Sequence, residues 1–326
     1  MFRLLCCTAA ALLLFATSAF AAPQITLKLG HIADPQNPYA QGAVKFADLV
    51  KEKTNGTVEI QVFPSSQLGN QRDLVEGLTF GTVDLTMTST AVFGNFVPEM
   101  GVFDLPFIFR DIAHTYKVLD TIGMEVAKKG EVRGIRTLGM MENGVRHMTN
   151  SRLPIKSPAD MKGLKVRVME QPVYIEMMKL LGASPTPMAF GEIYTALQKG
   201  VIDGQENPLA HIWTSRFFEV QKYISLTGHT YSAEPLLISL IAWKKLSPDQ
   251  QKAVEEAAAQ SVGWQRNLCR GLDKEYIKNI TESGKSVVND DVDLKAFADA
   301  TRATWQIFAK QIKGGQELID AIVNTK

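Results

Sequence analysis

Two stretches of the chain stand out for chemistry, and Arg167 in the first of them could hold an organic anion. Arg167 lies in Gly163-Leu164-Lys165-Val166-Arg167-Val168, and Arg146 closes Asn143-Gly144-Val145-Arg146. Asn207 lies in Asp203-Gly204-Gln205-Glu206-Asn207-Pro208, and Phe190 follows Pro187-Met188-Ala189. In a strand around Arg167, Leu164, Val166 and Val168 share one face, and Lys165 and Arg167 share the other. A parallel strand in an α/β fold is covered on both faces. A buried charge there needs a partner, because an unpaired one is costly. Two partners fit. One is an internal acid such as Glu170 or Glu206. The other is a ligand carboxylate in the crevice beyond the strand's carboxyl end, where open α/β sheets bind ligands. The pattern alone leaves both open.

Motifs for covalent or metal chemistry are missing. There is no G-x-S-x-G elbow, no G-x-x-x-x-G-K-[ST] loop and no G-x-G-x-x-G turn. The histidines His31, His114, His147, His211 and His229 show no His-x-x-x-His spacing for zinc. No catalytic residue, metal site or cofactor is assigned. Catalytic groups can still converge from distant positions, so a secreted sugar-acid enzyme remains an alternative.

The elements that must position these residues alternate between strand and helix. Ile25–Gly30 reads as a strand, and Asn37-Pro38 opens a helix with Asn as N-cap and Pro in the first turn. Val58–Phe63 is a second strand, 70–80 a helix and Val83–Thr88 a third strand. This βαβαβ start implies a parallel sheet with right-handed crossovers. A helix is expected over about 112–129. Thr137–Met141 reads as a strand, followed by an Asn143-Gly144 turn. Leu164–Val168 begins a second αβ series, with helices near 173–181 and 191–199, the latter ending at Gly200. A strand is expected over Leu236–Trp243. Ser247-Pro248-Asp249-Gln250 then carries a capping box and opens the longest helical run, to about Ser283.

The chain has 326 residues, too many for one ordinary core, so two lobes are expected. Hydrophobic residues make up 45% and charged residues 21%, a globular rather than disordered composition. Net charge is +1, without the basic stripe that a nucleic-acid partner requires. Residues 1–21 read as a signal peptide: Arg3 is the positive region, Leu4 to Phe15 the apolar region, and Ala19-Phe20-Ala21 the cleavage site. That apolar run is too short for a stable membrane anchor, and no other stretch approaches spanning length. The rest of the chain holds one cysteine, Cys269, which excludes an internal disulfide. No low-complexity linker separates the two series, which suggests crossing strands and a stiff hinge.

The runs Ser65-Ser66-Gln67-Leu68-Gly69, Phe103-Asp104-Leu105-Pro106-Phe107, Gly163 to Val168 and Gly182 to Pro208 together resemble the DctP-type substrate-binding proteins of TRAP (tripartite ATP-independent periplasmic) transporters. The likeness covers nearly the whole chain after the leader. It implies an α/β, two-lobe, periplasmic-binding-protein-like clamshell. Each lobe would hold a mixed, mostly parallel sheet flanked by helices, with a long helix spanning both. Lobe I would comprise 22–145 plus about 233–272, and lobe II 146–232 plus about 273–326. The resemblance also implies ligand roles. Arg167 would take the substrate carboxylate bidentately, a geometry that suits guanidinium better than ammonium. Arg146 and Asn207 would assist, and Phe190 would pack on the ligand. His31, Gln71 and Ser89 would come from the first lobe. The sialate-binding branch is expected to carry an acid where Ser89 stands. The stretch Glu170-Gln171-Pro172-Val173-Tyr174 resembles branches that take uronates and related sugar acids, and His31, Gln71 and Glu170 could serve several hydroxyls. The implied function is a periplasmic receptor for an organic acid, serving TRAP membrane subunits, with a sugar acid favoured over a C4-dicarboxylate. A sensor that docks on a chemoreceptor would use the same pocket.

Overall fold

The computed structural model describes residues 23–326; the expected leader lies outside them. Nine strands form one continuous sheet: β1 Ile25–Gly30, β2 Val58–Phe63, β3 Leu85–Met87, β4 Ile135–Asn150, β5 Lys165–Val168, β6 Ser184–Pro187, β7 Gly204–Pro208, β8 Tyr223–Ser239 and β9 Val287–Asn289. Their order is β2-β1-β3-β8-β4-β7-β5-β6, with β9 beside β8. One lobe is built on the parallel set β2-β1-β3, the other on the parallel set β7-β5-β6. The long strands β4 and β8 pair antiparallel and run through both lobes. They are the crossing strands that a chain without a loose linker requires.

Local signals set most of these elements. Leu27 and Leu29 on β1 are buried while Thr26 and Lys28 are exposed, the alternation of a half-covered strand. The helix Pro38–Lys53 starts where the Asn37 side chain accepts from the Tyr39 amide. The helix Gln71–Phe80 starts on a reciprocal Asn70–Asp73 capping box. The helix Pro248–Ser283 has the Ser247–Gln250 box and runs for 36 residues. Its Val254, Ala257 and Ala258 join the apolar core of the first lobe, and its Tyr276 and Ile280 join a core of the second. The expectation of one helix spanning both lobes holds.

Three local expectations are corrected. Asn143-Gly144 is not a turn: β4 continues through it with β8 alongside, and the ladder shifts register between Glu142 and Gly144. Gly144 has φ 126°, and a Cβ there would stand 3.1 Å from Pro208 Cβ, so it is a bulge that only glycine fits easily. The expected strand to Trp243 stops at Ser239, whose hydroxyl caps a short helix Leu240–Trp243 by accepting from the Ile241 amide. The expected helix 112–129 is broken into Ile112–Val118, a π turn Leu119–Gly123 and Met124–Ala127. Among the described residues, no helix is long and apolar enough to cross a membrane.

Candidate functional site

Two arginines lie buried at the seam between the lobes, 1% and 2% exposed, and each is satisfied differently. Arg146 projects from β4. The antiparallel β4–β7 ladder sets His147 opposite Asn207 and Met148 opposite Glu206, and this brings Glu206 onto Arg146. Arg146 Nε and Nη2 hold the two Glu206 carboxylate oxygens at 2.5 and 2.8 Å, a bidentate fork. Nη2 also donates to the Glu206 carbonyl at 2.7 Å and to Asn207 Oδ1 at 3.2 Å. His229 Nε2, from β8, stands 3.3 Å from Glu206 Oε2. Burial alone would raise the Glu206 pKa; Arg146 and His229 outweigh it and hold it at about 2. Burial likewise works to lower Arg146, and the Glu206 carboxylate raises it. The pair is therefore ionised and internally neutral.

Arg167 has no such partner. Val168 of β5 pairs with Pro187 of β6, so the Met188 carbonyl lies beside the guanidinium. It accepts from Nε at 2.9 Å and from Nη2 at 2.7 Å. Among the described residues, no carboxylate comes within salt-bridge distance of Arg167. Burial lowers its pKa to about 10, which leaves it charged at neutral pH. This is a buried cation to which no carboxylate is bonded, since Glu206, the acid whose field reaches it, is held by Arg146, and it faces a crevice.

That crevice gathers four of the residues singled out in the sequence: Gln71 from one lobe, and Arg167, Glu170 and Phe190 from the other. Phe190 meets the His211 ring edge-on at 4.8 Å. Asn207 is turned to Arg146 and to Gln205. Ser89 caps the helix Thr90–Phe93 by accepting from the Val92 amide at 3.3 Å, and its hydroxyl lies 3.5 Å from Met169 Sδ across the seam. Glu170 is exposed, and its carbonyl accepts from Asn95 Nδ2 at 3.0 Å. Asn37 Nδ2 meets His211 Nδ1 at 3.3 Å and Thr214 Oγ1 at 3.2 Å, a further lobe-to-lobe contact.

His31 is buried at the carboxyl end of β1, 5.3 Å from the Tyr39 ring, and Tyr39 lies 6.2 Å from His211. Tyr39 links it to residues that sequence reasoning missed: Tyr39 itself, His211 against its ring, Glu234 beside its hydroxyl, and Thr88 next to Met87, whose carbonyl accepts from that hydroxyl. One signal was present. Glu234 is an acid inside the otherwise apolar run Ala233 to Ile238, the same kind of anomaly that drew attention to Arg167. Both His31 ring nitrogens, Thr88 Oγ1 and both Glu234 carboxylate oxygens are buried without a hydrogen-bond partner. Buried polar groups are rarely left so. A site that binds a polar ligand is where they are expected.

The model of the bacterial extracellular solute-binding proteins, family 7, named DctP, matches residues 29–311. The chain belongs to this family. It is a TRAP-type solute-binding protein of the two-lobe clamshell fold, and the family is one of substrate-binding receptors rather than enzymes. Among its relatives is the 2,3-diketo-L-gulonate-binding periplasmic protein of Escherichia coli K12, 38% identical over 96% of this chain and 95% of that protein. A crystal structure of a TRAP periplasmic solute-binding protein from Polaromonas sp. JS666, bound to D-erythronate, is 42% identical with a TM-score of 0.89. The match covers 93% of this chain and 99% of that one. A third, from Sulfurospirillum deleyianum with bound succinate, is 35% identical with a TM-score of 0.89 over 93% of this chain and 100% of that one. The DctP family thus meets both hydroxylated and plain acids at comparable likeness to this chain.

Proposed function

We propose that this DctP-family chain is a periplasmic receptor that closes on a hydroxylated organic monoacid and delivers it to TRAP membrane subunits. The observation that carries the reading is Arg167: a buried guanidinium bonded only to a backbone carbonyl and lacking a protein carboxylate. A ligand carboxylate would supply the missing counter-charge, with Phe190 and Gln71 beside it. Arg146 is already neutralised by Glu206, so it would orient the site rather than take a second anionic group. Asn207, bonded to Arg146, would share that role. His31 would meet the ligand from the first lobe, while Ser89 and Glu170 would act at the closing edges. One uncompensated buried cation favours a monoanion such as an aldonate or uronate over a dianion. The relatives with D-erythronate and 2,3-diketo-L-gulonate agree with that preference. The relative with succinate keeps the C4-dicarboxylate alternative open. We place the lobe boundary near the bulged stretch of β4, at 22–145 plus about 233–272 against 146–232 plus about 273–326, because the register shifts there offer a natural hinge.

Calorimetry with D-erythronate, D-galactonate, D-glucuronate, D-galacturonate and succinate tests the reading. At least one hydroxylated monoacid should bind more tightly than succinate. Preference for succinate would establish the dicarboxylate alternative instead, and turnover of a bound acid would establish an enzyme.

A further inference from the structure

From the Arg167 crevice a chain of ring contacts, Phe190 to His211 to Tyr39 to His31, leads to a buried group with a chemistry of its own. Glu234 is fully buried on β8, beside the carboxyl end of β3, where the Thr88 amide donates to the Pro235 carbonyl. The Tyr39 hydroxyl lies next to the Glu234 carboxyl. Its single proton is donated to the Met87 carbonyl at 2.5 Å. Tyr39 can therefore only accept from Glu234, and an ionised carboxylate has nothing to donate. Burial, the dominant influence, raises the Glu234 pKa to about 8, so the group is a neutral acid at neutral pH. Burial also holds His31 down at about 4, leaving a neutral ring.

Three neutral groups therefore lie around Tyr39, each both a donor and an acceptor: the Glu234 carboxyl beside its hydroxyl, the His31 imidazole against its ring, and the Thr88 hydroxyl next to Met87, whose carbonyl takes the Tyr39 proton. His31 and Thr88 make no hydrogen bond to the protein through their side chains, and Glu234 has only the Tyr39 hydroxyl beside it. A second ligand carboxylate would be poorly served here, since Arg146, the cation whose field reaches Glu234, is already neutralised by Glu206. Hydroxyl groups, themselves donor and acceptor, match them. We propose that Glu234, with His31 and Thr88, is the specificity determinant that reads the hydroxylated tail of the ligand and disfavours a diacid. The inference rests on the receptor reading above and names the substrate class of the same cleft: monocarboxylates with hydroxyls on the carbons distal to the carboxylate.

The test is a cycle between residue and ligand, run by calorimetry. The ligand pairs are D-erythronate with 2-hydroxybutyrate and D-galactonate with 2-hydroxyhexanoate; the second of each pair lacks the distal hydroxyls. Wild type should bind the hydroxylated member of at least one pair tenfold or more tightly than its deoxygenated partner. Glu234→Ala should erase most of that ratio by weakening the hydroxylated acid alone. Glu234→Gln, a neutral donor and acceptor of the same shape, should keep most of it, and its binding would also show that the variant folds. Equal weakening of both acids in Glu234→Ala, or no weakening, overturns the inference while leaving the receptor reading standing. Loss in Glu234→Gln as large as in Glu234→Ala overturns the neutral-acid account. Wild type that prefers succinate to every hydroxylated acid overturns the receptor's proposed monoacid class and this inference together.

Discussion

The seam between the lobes holds two buried arginines that differ in what neutralises them. Around Arg146 the chain supplies its own counter-ion, and Glu206, His229 and Asn207 close the set. Around Arg167 it supplies one backbone carbonyl and a crevice. Residue type and burial are nearly the same, although β4 pairs antiparallel and β5 parallel with its neighbours. The difference lies in the register of a neighbouring strand: β7 places Glu206 against β4, and its side chain is spent there. A buried charge that the fold completes is structural. A buried charge that the fold leaves open is a candidate binding site, because a ligand can complete it. The energetic asymmetry follows. Breaking the first set costs stability, and breaking the second costs affinity.

The comparison can be broken at either end. Arg167→Ala should lower affinity for the bound acid by about 3–6 kcal/mol, two charge-assisted hydrogen bonds at about 1.5–3 kcal/mol each. Calorimetry would read this as a fall of two or more orders of magnitude. The variant's urea midpoint should not fall below that of ligand-free wild type, because an uncompensated cation is removed. Glu206→Gln should do the reverse, lowering unfolding free energy by about 3–5 kcal/mol in urea titrations because Arg146 is left buried and unpaired. A Glu206→Gln variant as stable as wild type would show that the pair is not the structural half of the seam.

The acid side sharpens the same contrast. Glu206 has a folded pKa of about 2 against an ordinary 4.5. A depressed carboxyl pKa contributes stability that is fully present above the unfolded value and is lost as pH falls through the folded one. The stability gap between wild type and Glu206→Gln should therefore be constant above about pH 5, and narrow as pH falls toward 2. Urea midpoints measured across that range would show it. The smallest expected effect is at Phe190, where Phe190→Leu keeps apolar bulk and loses the ring contact with His211. An aromatic pair is worth about 0.5–1.5 kcal/mol, so unfolding free energy should fall by about that much, and affinity about tenfold or less because the ring no longer packs on the ligand.

Much of this was legible in the sequence, and the exceptions have physical causes. The βαβαβ start, the capped helices and the long helix rest on local signals, and the structure agrees with them. Arg167 was legible because a charge interrupts an apolar strand. Its freedom from Glu206 was not, since that depends on strands 60 residues apart meeting in one register. Asn143-Gly144 reads locally as a turn, and the long ladder with β8 overrides it. Glu234 carried the same visible anomaly as Arg167, but its setting beside Tyr39 was not legible, because Tyr39 comes from a distant element.

The most direct test is a crystal structure with a hydroxylated acid bound. The ligand carboxylate should lie on the Arg167 guanidinium, with the Arg146–Glu206 fork intact behind it. A carboxylate seated on Arg146 with Glu206 displaced, or an acid bound without contact to Arg167, would contradict the account.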